Sequence, residues 1–315
     1  MLGNFVPMGR YANMLSTTRA TPVRWLQFEP DVMARHYNRL PFLLKHRLAE
    51  HPAFDLQPLF ALCRRMPAAD VKHRFGVVPD DAHFDSSLAH YRKDLTLDDA
   101  IEHLEERQAY IAIYNPENDA EYRPVIEGLL GEIAVATERF ESCINWYSTY
   151  IFISARDSVT PYHMDREMNF LFQIRGRKTA RLWDPNDDAV MSPAARDHLF
   201  SYGDDARPAY RPELDARAMR FQLEPGLGVH HPFIAPHLVH TGPELSISLA
   251  ITFRTPRSDD WSDAHHFNER MRRLGLTAGR VGQVEWIDKT KARIFRAARD
   301  AKRIIRGSTP DAGEH

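Results

Sequence analysis

The sequence predicts a mainly β core flanked by helices, and three observations carry that prediction. From Tyr147 to Trp183 the residues are dense in β-branched and aromatic types, with polar breaks at Asp157-Ser158 and Arg175-Gly176-Arg177. Leu245 to Phe253 (LSISLAITF) repeats the same texture after a turn-rich stretch. Before and after this region, apolar residues recur at helical spacing instead.

Taken in chain order, Pro41 to Leu44 reads as a strand and Leu56 to Met66 (LQPLFALCRRM) as a short amphipathic helix. Thr96 stands as an N-cap ahead of a helix over Leu97 to Arg107, whose first turn is acidic. Tyr110 to Tyr114 (YIAIY) reads as a strand and Glu121 to Thr137 as a second helix. Asn169 to Ile174 and Lys178 to Trp183 flank a glycine turn and read as a hairpin, with Phe221 to Leu223 as a further strand. Pro185 to Arg217 is a long polar loop, the expected lid and specificity element. After Arg254 the pattern is helical again, and Lys289 to Arg306 carries eight cations against Asp300 alone.

Composition excludes several classes of function. The 315 residues hold 41 basic and 43 acidic side chains, so the net charge is −2 and gives no whole-chain field for nucleic acid. Ile294, Ala298, Ala301 and Ile305 recur at helical spacing within the basic segment, which makes it a packed helix with a solvated charged face rather than a nucleic-acid surface. Cys63 and Cys143, eighty positions apart, suggest neither a zinc site nor a disulfide framework, and a reducing compartment fits them. Met1 to Ala20 has no apolar run of the signal-peptide kind, and no segment approaches the ~20 apolar residues of a membrane span. A cytoplasmic protein is expected.

Three groups of residues point to chemistry. With 16 His and 43 acids in 315 positions, chance places about two His-x-carboxylate triplets in the chain, and there are three. Side chains at i and i+2 share a face on a strand but not on a helix, so context separates them. His103 and Glu105 fall on a helical pattern, and His83 and Asp85 lie in a polar segment read as a solvated loop. His163 and Asp165 enter a strand, aim into one interior, and suit a non-haem Fe(II) face. Alternation places Lys178 with Ala180 and Leu182, which turns it inward if Leu171 and Leu182 are inward, and a buried lysine calls for an anion. Finally His230, His231, His237 and His240 cluster in GVHHPFIAPHLVH and offer a third imidazole, with the choice among them open.

Thr160-Pro161-Tyr162-His163-Met164-Asp165, Asn169-Phe170, Gln173-Ile174-Arg175-Gly176 and Lys178 together resemble the central signature of the JmjC and cupin-8 oxygenases, particularly the asparaginyl hydroxylase-like group. The match is gapless over about twenty residues, and Pro232 to His237 repeats the family's P-x-x-x-x-H spacing, which selects His237 over His240. The resemblance implies a double-stranded β-helix of the cupin or jelly-roll type, with helical decoration before it and a helical extension after it. It implies Fe(II) held by His163, Asp165 and His237, with 2-oxoglutarate and O2 as co-substrates. The far carboxylate of 2-oxoglutarate would meet Lys178 and Thr160, with Asn169 and Tyr110 completing the pocket. Ser246 or Ser248 stands where the family carries an inward asparagine.

The implied activity is hydroxylation of a C–H bond of a protein or peptide side chain, or of a small metabolite, coupled to conversion of 2-oxoglutarate to succinate and CO2. The competing class is a non-catalytic cupin that binds a metal or small molecule as a regulator. Arg254 is an alternative cation for the co-substrate. The expected organisation is an oxygenase domain over residues 1–257, with a β core near 110–255, and a helical extension over 258–315 that could pair two subunits as a homodimer.

Overall fold

The structure is a computed structural model and describes residues 4–5, 24–92, 95–201 and 207–306. The N-terminal third contributes β1 (Asn4–Phe5), β2 (Leu26–Gln27), α1 (Pro30–His36), β3 (Phe42–His46), α2 (Leu56–Arg65), β4 (Val71–Phe75), α3 (Phe84–His90) and α4 (Leu97–Glu102). Next come β5 (Ala109–Tyr114), α5 (Arg123–Thr137), β6 (Trp146–Ser154), β7 (Val159–His163), β8 (Met168–Arg175), β9 (Lys178–Leu182) and α6 (Pro193–Ser201). The chain closes with β10 (Met219–Leu223), β11 (Leu227–His231), β12 (His237–Thr241), β13 (Ser246–Arg254), α7 (Pro256–Arg273) and α8 (Glu285–Arg306).

The strands form two antiparallel sheets. The larger runs β2-β3-β11-β8-β13-β6-β5-β4, with β1 also on β6, and the smaller runs β10-β9-β12-β7. From β6 to β13 the chain alternates between the sheets except at β9 and β10, which pair side by side. This is the double-stranded β-helix that the family resemblance implies. Leu171, Val229 and Ala250 from the larger sheet and Ala180, Leu182, Leu223 and Val239 from the smaller make one buried apolar cluster. Period-2 alternation therefore aims one side-chain row of each core strand into this interior.

Several local expectations need correcting. The segments around Gly176 do not form a hairpin: β8 pairs with β11 and β13, whereas β9 pairs with β10 and β12. The glycine turn is a corner between sheets, where Gly176 takes φ +66° and lies against the Leu245 carbonyl. The helix capped by Thr96 ends at Glu102 rather than Arg107, and Gln108 adopts φ +49° to start β5. The cap itself forms, since the Thr96 hydroxyl accepts from the Asp99 amide at 3.1 Å. Segment 185–217 is not structureless, because it holds α6 and a short 3-10 helix over Pro212–Arg217; its residues 202–206, like 6–20 of the N-terminal segment read for targeting, lie outside the described residues. Arg181 and Trp183 point away from the core yet are buried, because Asp80, Asp215 and the Leu214 carbonyl receive them.

Two compact units emerge, Met1–Val190 with Ala209–Pro256, and Met191–Pro208 with Arg257–His315. The first contains both sheets. In the second, buried Asp197 on α6 accepts from His265 at 2.8 Å, Asn268 at 3.2 Å and Arg272 at 2.7 Å, tying α6 to α7. Asp260 and Asp263 on α7 pair with Arg296 on α8.

The corner at Gly176 gives a direct test of the fold. A Cβ there would stand 2.3 Å from the Leu245 carbonyl oxygen. Gly176→Ala is expected to destabilise the protein by ~2 kcal/mol or more, visible as a lowered denaturation midpoint with an unchanged m-value.

Candidate metal centre

The pairing of β7 with β12 sets His163 directly opposite His237. Asp165 lies two residues beyond His163, past the end of β7. Its two oxygens stand 3.9 Å from His163 Nε2 and 3.9 Å from His237 Nε2, and the two imidazole centroids are 4.0 Å apart. Such separations exceed hydrogen-bond length, yet two bonds of ~2.1 Å to one shared ion would span them. Both histidines are buried, and Asp165 is half-buried.

The tautomers are fixed by the backbone. His163 Nδ1–H donates to the Pro161 carbonyl at 2.8 Å, and His237 Nδ1–H donates to the Ala235 carbonyl at 3.0 Å. A carbonyl can only accept, so each Nε2 keeps its lone pair for the centre. Phe84, the first residue of α3, stacks on His163 at 3.7 Å, so the segment read as a solvated loop is a helix that packs on this histidine. Two imidazole nitrogens and one carboxylate oxygen on one face are a donor set that fits a divalent iron-type ion with further positions open.

Lys178 lies in the same interior, on β9. Leu182, four residues along the strand, pairs with His237, so the Lys178 backbone is offset from that of His237 by ~13 Å along the sheet. Lys178 is 3% exposed and its Nζ donates to Ser248 Oγ at 2.7 Å. Burial lowers its pKa from 10.5 to about 7. Ser246, the other candidate, instead accepts from Gln173 at 2.8 Å.

Tyr110 is buried and hydrogen-bonds Thr160, and burial raises its pKa. Arg74 on β4 faces it in register and sits 4.4 Å above its ring. This arginine is 1% exposed; its Nη2 donates to the Val159 carbonyl, while Nη1 has no acceptor among the described residues. Asn169 is buried with its Oδ1 likewise unpartnered. Arg74 could not be singled out from VKHRF, since an arginine in a short strand reads as outward until its cross-strand partner is known.

The remaining candidates lie elsewhere. His240 faces outward and its Nε2 meets Asp80 at 2.6 Å, in a network with Arg181. Arg254 stacks on Trp146 at 4.3 Å, at the opposite end of β13 from Ser248. Glu167, beside Asp165, has its carboxyl raised to about 7 by burial and then by the Asp165 charge.

Residues 52–305 match the family described as Cupin-like domain, and the chain belongs to that family. Among solved structures, it is similar to the ribosomal oxygenase YcfD from Escherichia coli at 15% identity, covering 87% of this chain and 67% of that one, with a TM-score of 0.44. It is also similar to YcfD in complex with cobalt and 2-oxoglutarate, at 17% identity, 87% and 67% coverage and a TM-score of 0.42. No curated protein sequence matches the chain.

The displaced lysine has a measurable consequence for the ligand-free protein. A folded-state value of about 7 against an ordinary 10.5 means that the unfolded chain holds the proton more tightly. The destabilisation is therefore complete below pH 7 and fades as pH rises from 7 towards 10.5. Lys178→Met should melt higher than wild type at pH 6 to 7, with the gap closing towards pH 10, in thermal scans of apoprotein.

Proposed function

We propose that the chain is an Fe(II)- and 2-oxoglutarate-dependent dioxygenase that hydroxylates a C–H bond while 2-oxoglutarate and O2 become succinate and CO2. The observation that carries this reading is the shared interior of the His163, Asp165 and His237 face and a buried lysine whose burial calls for an anion. A five-carbon diacid would lie within that interval, with its keto acid end at the donors and its far carboxylate at the cation, and the inward-reaching side chains would cover the rest.

In this reading His163 Nε2, His237 Nε2 and an Asp165 oxygen hold the ion. Iron(II) supplies the redox chemistry that activates dioxygen. Lys178 forms the charge-assisted contact to the far carboxylate, with Ser248 steadying its Nζ, and the Tyr110 and Thr160 hydroxyls complete that end. Asn169 stands on the larger sheet, opposite His231 across the β8–β11 pairing, where its side-chain amide can donate an N–H to the co-substrate. The apolar cluster of Leu171, Ala180, Leu182 and Val229 excludes water between the two ends.

The prime substrate in this proposal is a protein or peptide side chain, or a small metabolite. A cytoplasmic setting is supported by two thiols that are both free, Cys63 and Cys143. Among the described residues no helix is long and apolar enough to cross a membrane. Homodimer formation through the C-terminal helices is supported by the apolar stripe of α8, where Trp286, Ile294 and Ile304 are exposed.

The test is succinate formation from 2-oxoglutarate in air by the Fe(II)-loaded protein. Wild type and His240→Ala are expected to produce succinate, whereas Asp165→Ala and His237→Ala should fall at least about a hundredfold. Ligand binding with no succinate from any variant would instead make the chain a binding cupin.

A further inference from the structure

His231 is a buried side chain for which the oxygenase reading has no role. It ends β11 at 2% exposure, and neither of its ring nitrogens has a partner among the described residues. Its neighbour His230 shows how a packed histidine is normally satisfied here. The His230 Nδ1–H donates to the Asn169 carbonyl at 3.0 Å, its Nε2 accepts from the Asn38 amide at 3.2 Å, and its ring stacks on Tyr37. Strand alternation sends the two consecutive imidazoles to opposite faces, so His231 turns into the interior between the sheets.

Its surroundings there are specific. The His231 ring lies edge-on to His237 with centroids 4.4 Å apart. Its cross-strand partner on β8 is Asn169, whose Oδ1 is also unpartnered. Yet His231 is not one of the three residues whose donor atoms gather within 4.8 Å. Buried polar atoms are nearly always hydrogen-bonded, so an interior imidazole with both nitrogens idle, beside a metal-binding face, marks a place where a ligand completes the bonding.

We propose that His231 binds the co-substrate directly, donating a ring N–H to an anionic carboxylate oxygen of the molecule seated beside His237. The inference rests on the oxygenase reading, in which that molecule is 2-oxoglutarate and the oxygen belongs to its keto acid end. His231 is then a second anchor, on the larger sheet, at the opposite end of the molecule from Lys178. The metal itself is held without it.

Calorimetry on the full chain tests this without relying on turnover. Co(II) affinity is measured first, then 2-oxoglutarate binding to the Co(II)-loaded protein, for wild type, His231→Phe, His231→Gln and Lys178→Met. His231→Phe should bind Co(II) within about twofold of wild type but 2-oxoglutarate ~tenfold more weakly, about 1.4 kcal/mol. His231→Gln, which keeps a donor in a similar volume, should recover to within about threefold of wild type, and His231→Leu stands in for the phenylalanine variant if that fails to fold. Unchanged 2-oxoglutarate binding in both variants overturns the proposal, as does glutamine no better than phenylalanine. A loss of Co(II) affinity as large as that of His237→Ala overturns it too, by making His231 a ligand. Failure of wild type itself to bind 2-oxoglutarate sinks the oxygenase reading along with this one, whereas binding that needs Lys178 but ignores His231 sinks this inference alone.

Discussion

The register between β7 and β12 is the constraint on which the rest of the site depends. It sets His163 opposite His237, and a slip of one residue would turn either imidazole to the outer face. The register is held from both sides. β12 also pairs along its length with β9, which brings Leu182 opposite His237 and Thr241 opposite Lys178. The same strand pairing therefore places the donor face and the buried cation at a fixed interval, and no loop has to supply either. Each imidazole is then oriented by a carbonyl two residues before it in its own chain, so the donor geometry is local once the sheet has formed.

Charge within this interior is arranged against folding and in favour of binding. Lys178 is taken out of water with a serine hydroxyl as its hydrogen-bond partner, and burial alone shifts its pKa. Among the described residues, Arg74 keeps an unpartnered Nη1 beside Tyr110, and Asn169 keeps an unpartnered Oδ1 on the larger sheet. Polar groups left this way cost stability in the free protein, and an anionic guest that accepts from the two cations would recover part of the loss on binding. By contrast, the polar groups on the outer face of the smaller sheet are satisfied internally, as Arg181 with Asp80 and Asp215 shows.

Much of this was legible in the sequence, for identifiable reasons. His163 and Asp165 can be read as a pair because i and i+2 share a face on a strand, and Lys178 is placed inside by alternation with Ala180 and Leu182. His237 is singled out from His240 only by the family spacing after Pro232, since alternation sends two histidines three residues apart to opposite faces without saying which face is inward. The corner at Gly176 reads as a hairpin because a glycine turn between apolar strands looks the same whether those strands pair or pass to different sheets. α6 is hidden among Asp, Pro and Arg, whose composition signals a loop. His231 and Arg74 escape because their meaning lies in missing partners, a tertiary property that no local pattern encodes.

The central claim is that one interior holds a metal chelated by a keto acid, and the most direct measurement is optical. Under strict exclusion of oxygen, Fe(II) and then 2-oxoglutarate are added to the full chain while the visible spectrum is followed. The account predicts a weak metal-to-ligand charge-transfer band that appears only with both components and is bleached when air is admitted. A folded protein that takes up Fe(II) and gives no such band with saturating 2-oxoglutarate would contradict it.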